Sequence, residues 1–214
     1  SLDSYPRDSE DVYARVTPID SLQISELRRL VPEIQLASPH VTAWNQGPEL
    51  RRLGQSRKPG WRAMDEHGLE MMNLELAAGR GFSATDRMFR RPVVILGHGL
   101  AGQLGVDETC IGGTLTYGGQ TAELIGILKS QDVPFSGEDG RDFGPDVQVF
   151  LPFGAFREAL PADAYALPAW QVHVGLSMTR EEAEAALRAG LRSLRGLKAK
   201  EPDKAMAFFA KAYF

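Results

Sequence analysis

The sequence predicts a mixed α/β fold of the α+β kind, on three observations. It opens with a β-α-β pattern, it closes with a strand followed by a well-capped amphipathic helix, and a glycine-rich run of short strands lies between. Val12 to Thr17 alternates apolar and polar residues, as a half-buried strand does. Asp20 or Ser21 caps a helix that carries Ile24, Leu27 and Val31 at helical spacing, and Pro32 stops it. Ile34 to Trp44 then returns as extended chain.

Turn signals at Gln46-Gly47-Pro48 and Arg57-Lys58-Pro59-Gly60 bracket a charged segment and predict a protruding hairpin or loop. Its basic residues (Arg51, Arg52, Arg57 and Lys58) suit either a solvated tip or contact with an acidic partner. Leu69, Met72 and Leu76 are spaced to share one face of a short helix, which Gly79-Arg80-Gly81 ends. Val93 to Leu96 reads as a buried strand, and Leu100 to Leu104 as a helix of hardly more than a turn. Gly118-Gly119 links two strands, Thr114–Tyr117 and Thr121–Leu128, as a hairpin. Gln131 to Pro145 is a loop by composition. Val147 to Leu151 is a strand closed by Pro152, and Trp170 to Leu176 alternates as another. Thr179-Arg180-Glu181-Glu182 is a capping box opening a helix with Ala183, Ala186, Leu187, Gly190, Leu191 and Leu194 on one face.

Composition narrows the function classes. The chain has 214 residues and a formal charge of -4, which disfavours nucleic acid as a partner because phosphate binding needs clustered Lys and Arg. Cys110 is the only cysteine, so no internal disulfide and no thiolate metal cage can form. No stretch approaches the roughly 20 apolar residues of a membrane-spanning helix. A start at Ser1 rather than Met reads as a fragment or a processed product.

The chemical motifs are few. Gly97, Gly99 and Gly102 in VVILGHGLAG spell G-x-G-x-x-G after an apolar run, the pattern of a dinucleotide-binding turn. Three requirements go unmet. The following helix is short, the next strands read as a hairpin rather than a crossover to a parallel neighbour, and the ribose position near Gly118 to Ala122 offers no carboxylate, Glu123 lying inside a strand. His40, His67, His98 and His173 are scattered without a metal-binding spacing. Nucleophile-elbow, kinase and Walker signatures are missing; Asp142-Phe143-Gly144 stands without the companion motifs that would give it meaning. The residues therefore assign no catalytic, cofactor-binding or metal site, and point to a binding or transmission module.

Leu76-Ala77-Ala78-Gly79-Arg80-Gly81-Phe82-Ser83, followed by Asp86, resembles the L…GR-x-F-S…D signature of the periplasmic core domain in MacB-type ABC transporter permeases. Later segments resemble that family in the same order. They are Val93 to Gly97, Leu100 to Gly105, Ile111-Gly112, Ile125 to Leu128, Val149 to Pro152, and the terminal helix with Leu187, Leu191 and Arg192. The resemblance runs from about Ile19 to Arg195. Two features depart from it: Leu104 and Gly105 are adjacent where the family often has an intervening Phe, and Met206 to Phe209 replaces its usual D-F.

The resemblance implies an extracytoplasmic, non-catalytic domain of a MacB/FtsX-like permease. A Porter-like subdomain would be built from residues 1–60 and 147–214, with a Sabre-like subdomain, 61–146, inserted between. The implied partners are a second permease copy, an ATP-binding subunit or domain on the cytoplasmic side, and a periplasmic adaptor or substrate-carrier protein. The implied role is to carry ATP-driven motion to an outside partner or substrate. Two alternatives stay open: an FtsX-like module that activates a cell-wall hydrolase, and a dinucleotide-binding enzyme resting on Gly97, Gly99 and Gly102.

Overall fold

The computed structural model describes residues 21–43, 47–131, 144–162, 164, 169–174 and 179–193. The expected strand at Val12 to Thr17 and most of the loop from Gln131 to Pro145 lie outside the described residues. The chain forms two compact units, one of residues 1–37 and 167–214 and the other of residues 38–166. Both chain ends share a unit, and the middle forms the other. The divisions fall at 37/38 and 166/167, not at 60/61 and 146/147. The reason is that the strands at Gly60 and Gln148 pair side by side within the larger sheet.

In the unit made from the chain ends, helix α1 (Ser21–Leu30) buries Ile24 and Leu27 together with Val31, which follows it. Helix α5 (Arg180–Ser193) carries the expected capping box. The Thr179 amide donates to Glu182 Oε2 at 2.7 Å and the Glu182 amide to Thr179 Oγ1 at 3.3 Å, satisfying two donors that a helix start leaves open. Leu187 is buried. Gly190 sits where any side chain would meet Leu27 and Val31, so the missing Cβ sets how closely the two helices pack. Strand β10 (Ala169–Val174) belongs to this unit too.

Strand β1 (Ile34–Ala43) leads into the larger unit. Its strands follow as β2 (Leu50–Arg52), β3 (Gln55–Arg57), β4 (Gly60–Met64), β5 (Leu76–Gly79), β6 (Val93–Leu96), β7 (Thr114–Tyr117), β8 (Gln120–Leu128) and β9 (Gln148–Pro152). Their spatial order is β1-β4-β9-β6-β8-β7-β2-β3, with β5 also on β8. The β4–β9 and β6–β8 pairs are parallel and the others antiparallel. Every residue of β4, β6 and β9 is buried, as expected of strands covered on both faces.

The period of two then sorts side chains onto two cores. Trp61, Ala63, Val94, Leu96, Val149 and Leu151 join one, under helix α4 (His98–Gln103). Met64, Val93, Ile95 and Phe150 join the other, under the segment from Leu69 to Phe82.

Two sequence expectations change here. The helix expected to align Leu69, Met72 and Leu76 is a single turn, α2 (Gly68–Met71), and Leu76 begins strand β5. Gly79 ends that strand, not a helix. It has φ +82, and its Cα lies so close to β8 that a Cβ would run into the Ile125 carbonyl oxygen and sit 2.8 Å from Gly126 Cα. Only glycine fits such a crossing. The second change is that β6 does gain a parallel neighbour: after α4 and a 3-10 turn (Glu108–Cys110), the β7–β8 hairpin returns β8 alongside β6.

Candidate functional site

The glycine turn at the C-terminal end of β6 is the natural place to look for a ligand. Gly97 caps α4 in an extended conformation (φ -63, ψ 151) and donates its amide to Gln148 O at 2.9 Å. The space beside it is filled by the chain itself. A Cβ on Gly97 would collide with the Pro145 carbonyl oxygen and lie 2.6 Å from the Asp146 carbonyl, and one on Gly99 would lie 3.3 Å from Asp146 O. Gly102 faces open space. The 3-10 turn Pro145–Val147 therefore occupies the position a pyrophosphate would need. Glu123, the nearest carboxylate to the expected ribose position, pairs with Val93 at the start of β6, the far end from the glycines. The parallel neighbour restores one requirement of a dinucleotide fold while the other two stay unmet, and the glycines serve packing.

A second constellation lies where the sequence shows Gly79 to Asp86. Helix α3 (Ala84–Met88) starts at Ser83 with a complete capping box. Asp86 is 0% exposed and gathers five groups. Its Oδ2 accepts from the Ser83 amide at 2.9 Å, Ser83 Oγ at 2.7 Å and Arg80 at 2.7 Å. Its Oδ1 accepts from the other Arg80 nitrogen at 3.3 Å and lies 3.6 Å from Arg91. Burial alone would push this carboxyl up, but the Arg80 and Ser83 hydrogen bonds outweigh it and hold the pKa down at about 2. Phe82 is buried in the core below. The G-R-x-F-S…D pattern is thus a structural node: glycine for the crossing, arginine and serine for the carboxylate, phenylalanine for the core.

The β2–β3 hairpin is the third constellation; Arg51 and Lys58 are exposed, as on a solvated tip, while Arg52 and Arg57 turn back onto the domain. Arg52 donates to Gly105 O at 2.8 Å and to Leu104 O at 3.4 Å, and approaches Cys110 Sγ at 2.9 Å. Arg57 donates to Gln103 Oε1 at 3.2 Å and to Gln103 O at 3.4 Å. Both guanidinium groups thereby cap the carbonyls left open at the C-terminus of α4, where a cation is favoured. Arg51 pairs with Glu49. The hairpin is a clamped finger whose tip, Leu53 at φ +45 and Gly54 at φ +83, leaves Leu53 86% exposed. Beside it runs a shallow groove of about 740 Å³ lined by Thr109, Thr114, Thr116 and Thr121 together with Arg51 and Cys110. We expect Arg52→Ala to speed amide hydrogen exchange across residues 50–57 with little change elsewhere; uniform exchange in both proteins would show that the clamp is not formed.

Among the described residues, no group of three or more His, Cys, Asp or Glu side chains is placed to hold a metal ion, and no helix is long and apolar enough to cross a membrane. The MacB-like periplasmic core domain family matches residues 4–192. The chain belongs to that family.

The fold of this MacB-like periplasmic core domain is shared with solved relatives. The periplasmic region of MacB from Actinobacillus actinomycetemcomitans aligns with TM-score 0.62 at 18% identity, covering 88% of this chain and 83% of that one. The extracellular domain of the noncanonical ABC-type transporter YknZ from Gram-positive bacteria aligns with TM-score 0.61 at 15% identity, covering 89% of each. Comparison with curated protein sequences gives no match. Membership places this MacB-like domain on the extracytoplasmic side, as part of the ABC transporter permease kind, whose context includes an ATPase.

Proposed function

We propose that this MacB-like domain transmits motion and does no chemistry. ATP binding on the cytoplasmic side would shift a permease dimer, and the domain would pass the shift to an extracytoplasmic adaptor, carrier protein or substrate. The observation that carries this reading is the way the middle unit fills itself: Pro145 and Asp146 plug the glycine turn, while Arg52 and Arg57 pin the hairpin to α4. A body closed in this way transfers displacement rather than absorbing it. The sharing of one unit by both chain ends supports a Porter-like part made from the ends and a Sabre-like part made from the middle, with the divisions at 37/38 and 166/167.

The test uses the permease carrying this chain together with its ATPase. Gln55, exposed near the hairpin tip, is replaced by Cys in a Cys110→Ser background and spin-labelled, and the distance between the two copies is measured with and without ATP. A nucleotide-dependent change in that distance is expected. An identical distance distribution in both states would end the transmission reading.

A further inference from the structure

Of the four large hydrophobic side chains that are exposed among the described residues, two are consecutive: Met88, 69% exposed, and Phe89, 70% exposed. They stand at the C-terminal end of α3, and the backbone there is unusual. Arg90 has φ +49, its amide donates to Arg87 O at 3.1 Å, and the Arg91 amide donates to Asp86 O at 2.8 Å. These two bonds form a Schellman closure, whose left-handed position is normally glycine. An arginine there is strained, because its Cβ crowds the following carbonyl oxygen. The apolar contact that usually accompanies the motif is replaced by the Arg91–Asp86 ion pair. The turn is thus fixed by a buried carboxylate, strained at one residue, and spends that strain on presenting Met, Phe and Arg to solvent. Backbone strain held in place by its surroundings marks functional segments.

We propose that the Met88–Phe89 turn is a bilayer-contact knob, its two side chains entering the membrane interface and Arg90 beside them meeting an anionic phosphate headgroup. Charge complementarity supports this occupant. Arg87 is held by Glu66, and Arg91 is shared between Asp86 and Glu123, both at 3.6 Å. Arg90 has no ion pair among the described residues and stands next to Phe89. An aromatic and a thioether side chain beside an arginine with no ion pair is a composition that suits an interfacial anchor, in which the arginine stem follows the apolar surface and its head stays at phosphate level. The small size of the apolar part favours lipid over a protein pocket. A stable protein interface needs roughly 800 Å² from each partner around a larger apolar centre, whereas two inserted side chains suffice to bias a domain already belonging to a membrane transporter. The inference stands apart from the transmission reading, since it concerns where the domain rests and not what it moves.

The experiment is co-sedimentation of the 214-residue chain with phosphatidylglycerol vesicles and with phosphatidylcholine vesicles at low ionic strength, beside a vesicle-free control. We expect binding to phosphatidylglycerol vesicles, weakened by salt, and about tenfold or more weaker for the Met88→Ser/Phe89→Ser double variant. Arg90→Glu should weaken it several-fold, and Phe89→Trp should add blue-shifted emission only with phosphatidylglycerol vesicles. Both serine substitutions are at exposed positions, so an unchanged melting temperature checks that the fold is intact. Lack of binding to either vesicle, or equal binding by the double variant, would overturn the proposal. So would vesicle-free self-association that depends on Met88 and Phe89, which would make the turn a protein contact.

Discussion

Asp86→Ala is expected to be among the most destabilising single changes in the larger unit. It removes the acceptor shared by the Ser83 amide, Ser83 Oγ, Arg80 and Arg91, and leaves a void at the start of α3. The separation between the ordinary aspartate value of 3.8 and the folded value of about 2 is worth about 2 kcal/mol. Loss of the cap and of the packed volume adds to this, so a drop of about 3 kcal/mol and of roughly 6–12 °C in Tm is expected for a chain of this size. Calorimetry or thermal circular dichroism checks it. The pH dependence follows from the sign of the shift. Because the folded pKa is depressed, the Asp86 contribution is present above about pH 4 and is lost as pH falls towards 2. His40 acts at higher pH. Burial first, and the Arg62 charge second, lower it from 6.5 to about 4, so it opposes folding progressively as pH falls between those values. Asp65, raised chiefly by burial, works in the opposite direction and partly offsets both. Acid unfolding of wild type should steepen below pH 4, and the Asp86→Ala variant should lack that lower step. A variant with the same acid profile as wild type would show that Asp86 is not the ionised anchor.

The glycine turn yields the second large effect. Gly97→Ala places a methyl group against the Pro145 carbonyl oxygen and within 2.6 Å of the Asp146 carbonyl, both of them backbone atoms that cannot swing aside. We expect a cost of about 3 kcal/mol, at the upper end for overpacking, with displacement of residues 145–147. Gly102→Ala is expected to be neutral or to stabilise by about 0.5–1 kcal/mol, since its site is open and alanine is the better helix former. Denaturant melts of the two variants separate the readings. A turn built for a pyrophosphate would need backbone access at all three glycines, whereas a packing turn punishes Gly97 and spares Gly102. Equal losses of stability at Gly97 and Gly102 would refute the packing account.

Much of the architecture is legible in the residues. The four-residue apolar run of β6 leaves no polar face, the Gly118-Gly119 pair fixes the β7–β8 hairpin, and Thr179 with Glu182 starts α5 where expected. The β5 strand is not legible. Leu76-Ala77-Ala78-Gly79 has no β-branched residue, and its conformation comes from the open edge of β8, a tertiary effect that a helical spacing of Leu69, Met72 and Leu76 conceals. The parallel placement of β8 beside β6 is likewise invisible, because a hairpin signal says which strands are joined and not what lies on the far side. At the candidate sites, the arginines of the hairpin look solvated in a one-dimensional reading, since the carbonyls they cap at Gln103, Leu104 and Gly105 are about fifty residues away. The buried role of Asp86 has a sequence signal that could have been weighed physically: Ser83-x-x-Asp86 is itself a capping pattern, with Arg80 three residues before it.

The clamped hairpin has one more effect. In a two-residue hairpin closed by the Arg52–Gln55 pair, the polar backbone groups of Ser56 point away from β2, along the outer margin of the sheet. Arg57 folds back and donates to the Ser56 carbonyl at 2.7 Å, and Pro59 follows shortly after without an amide hydrogen to offer. The Ser56 carbonyl is thereby withheld from a further strand. Where copies of this domain crowd together outside a membrane, this margin is a poor template for edge-to-edge pairing.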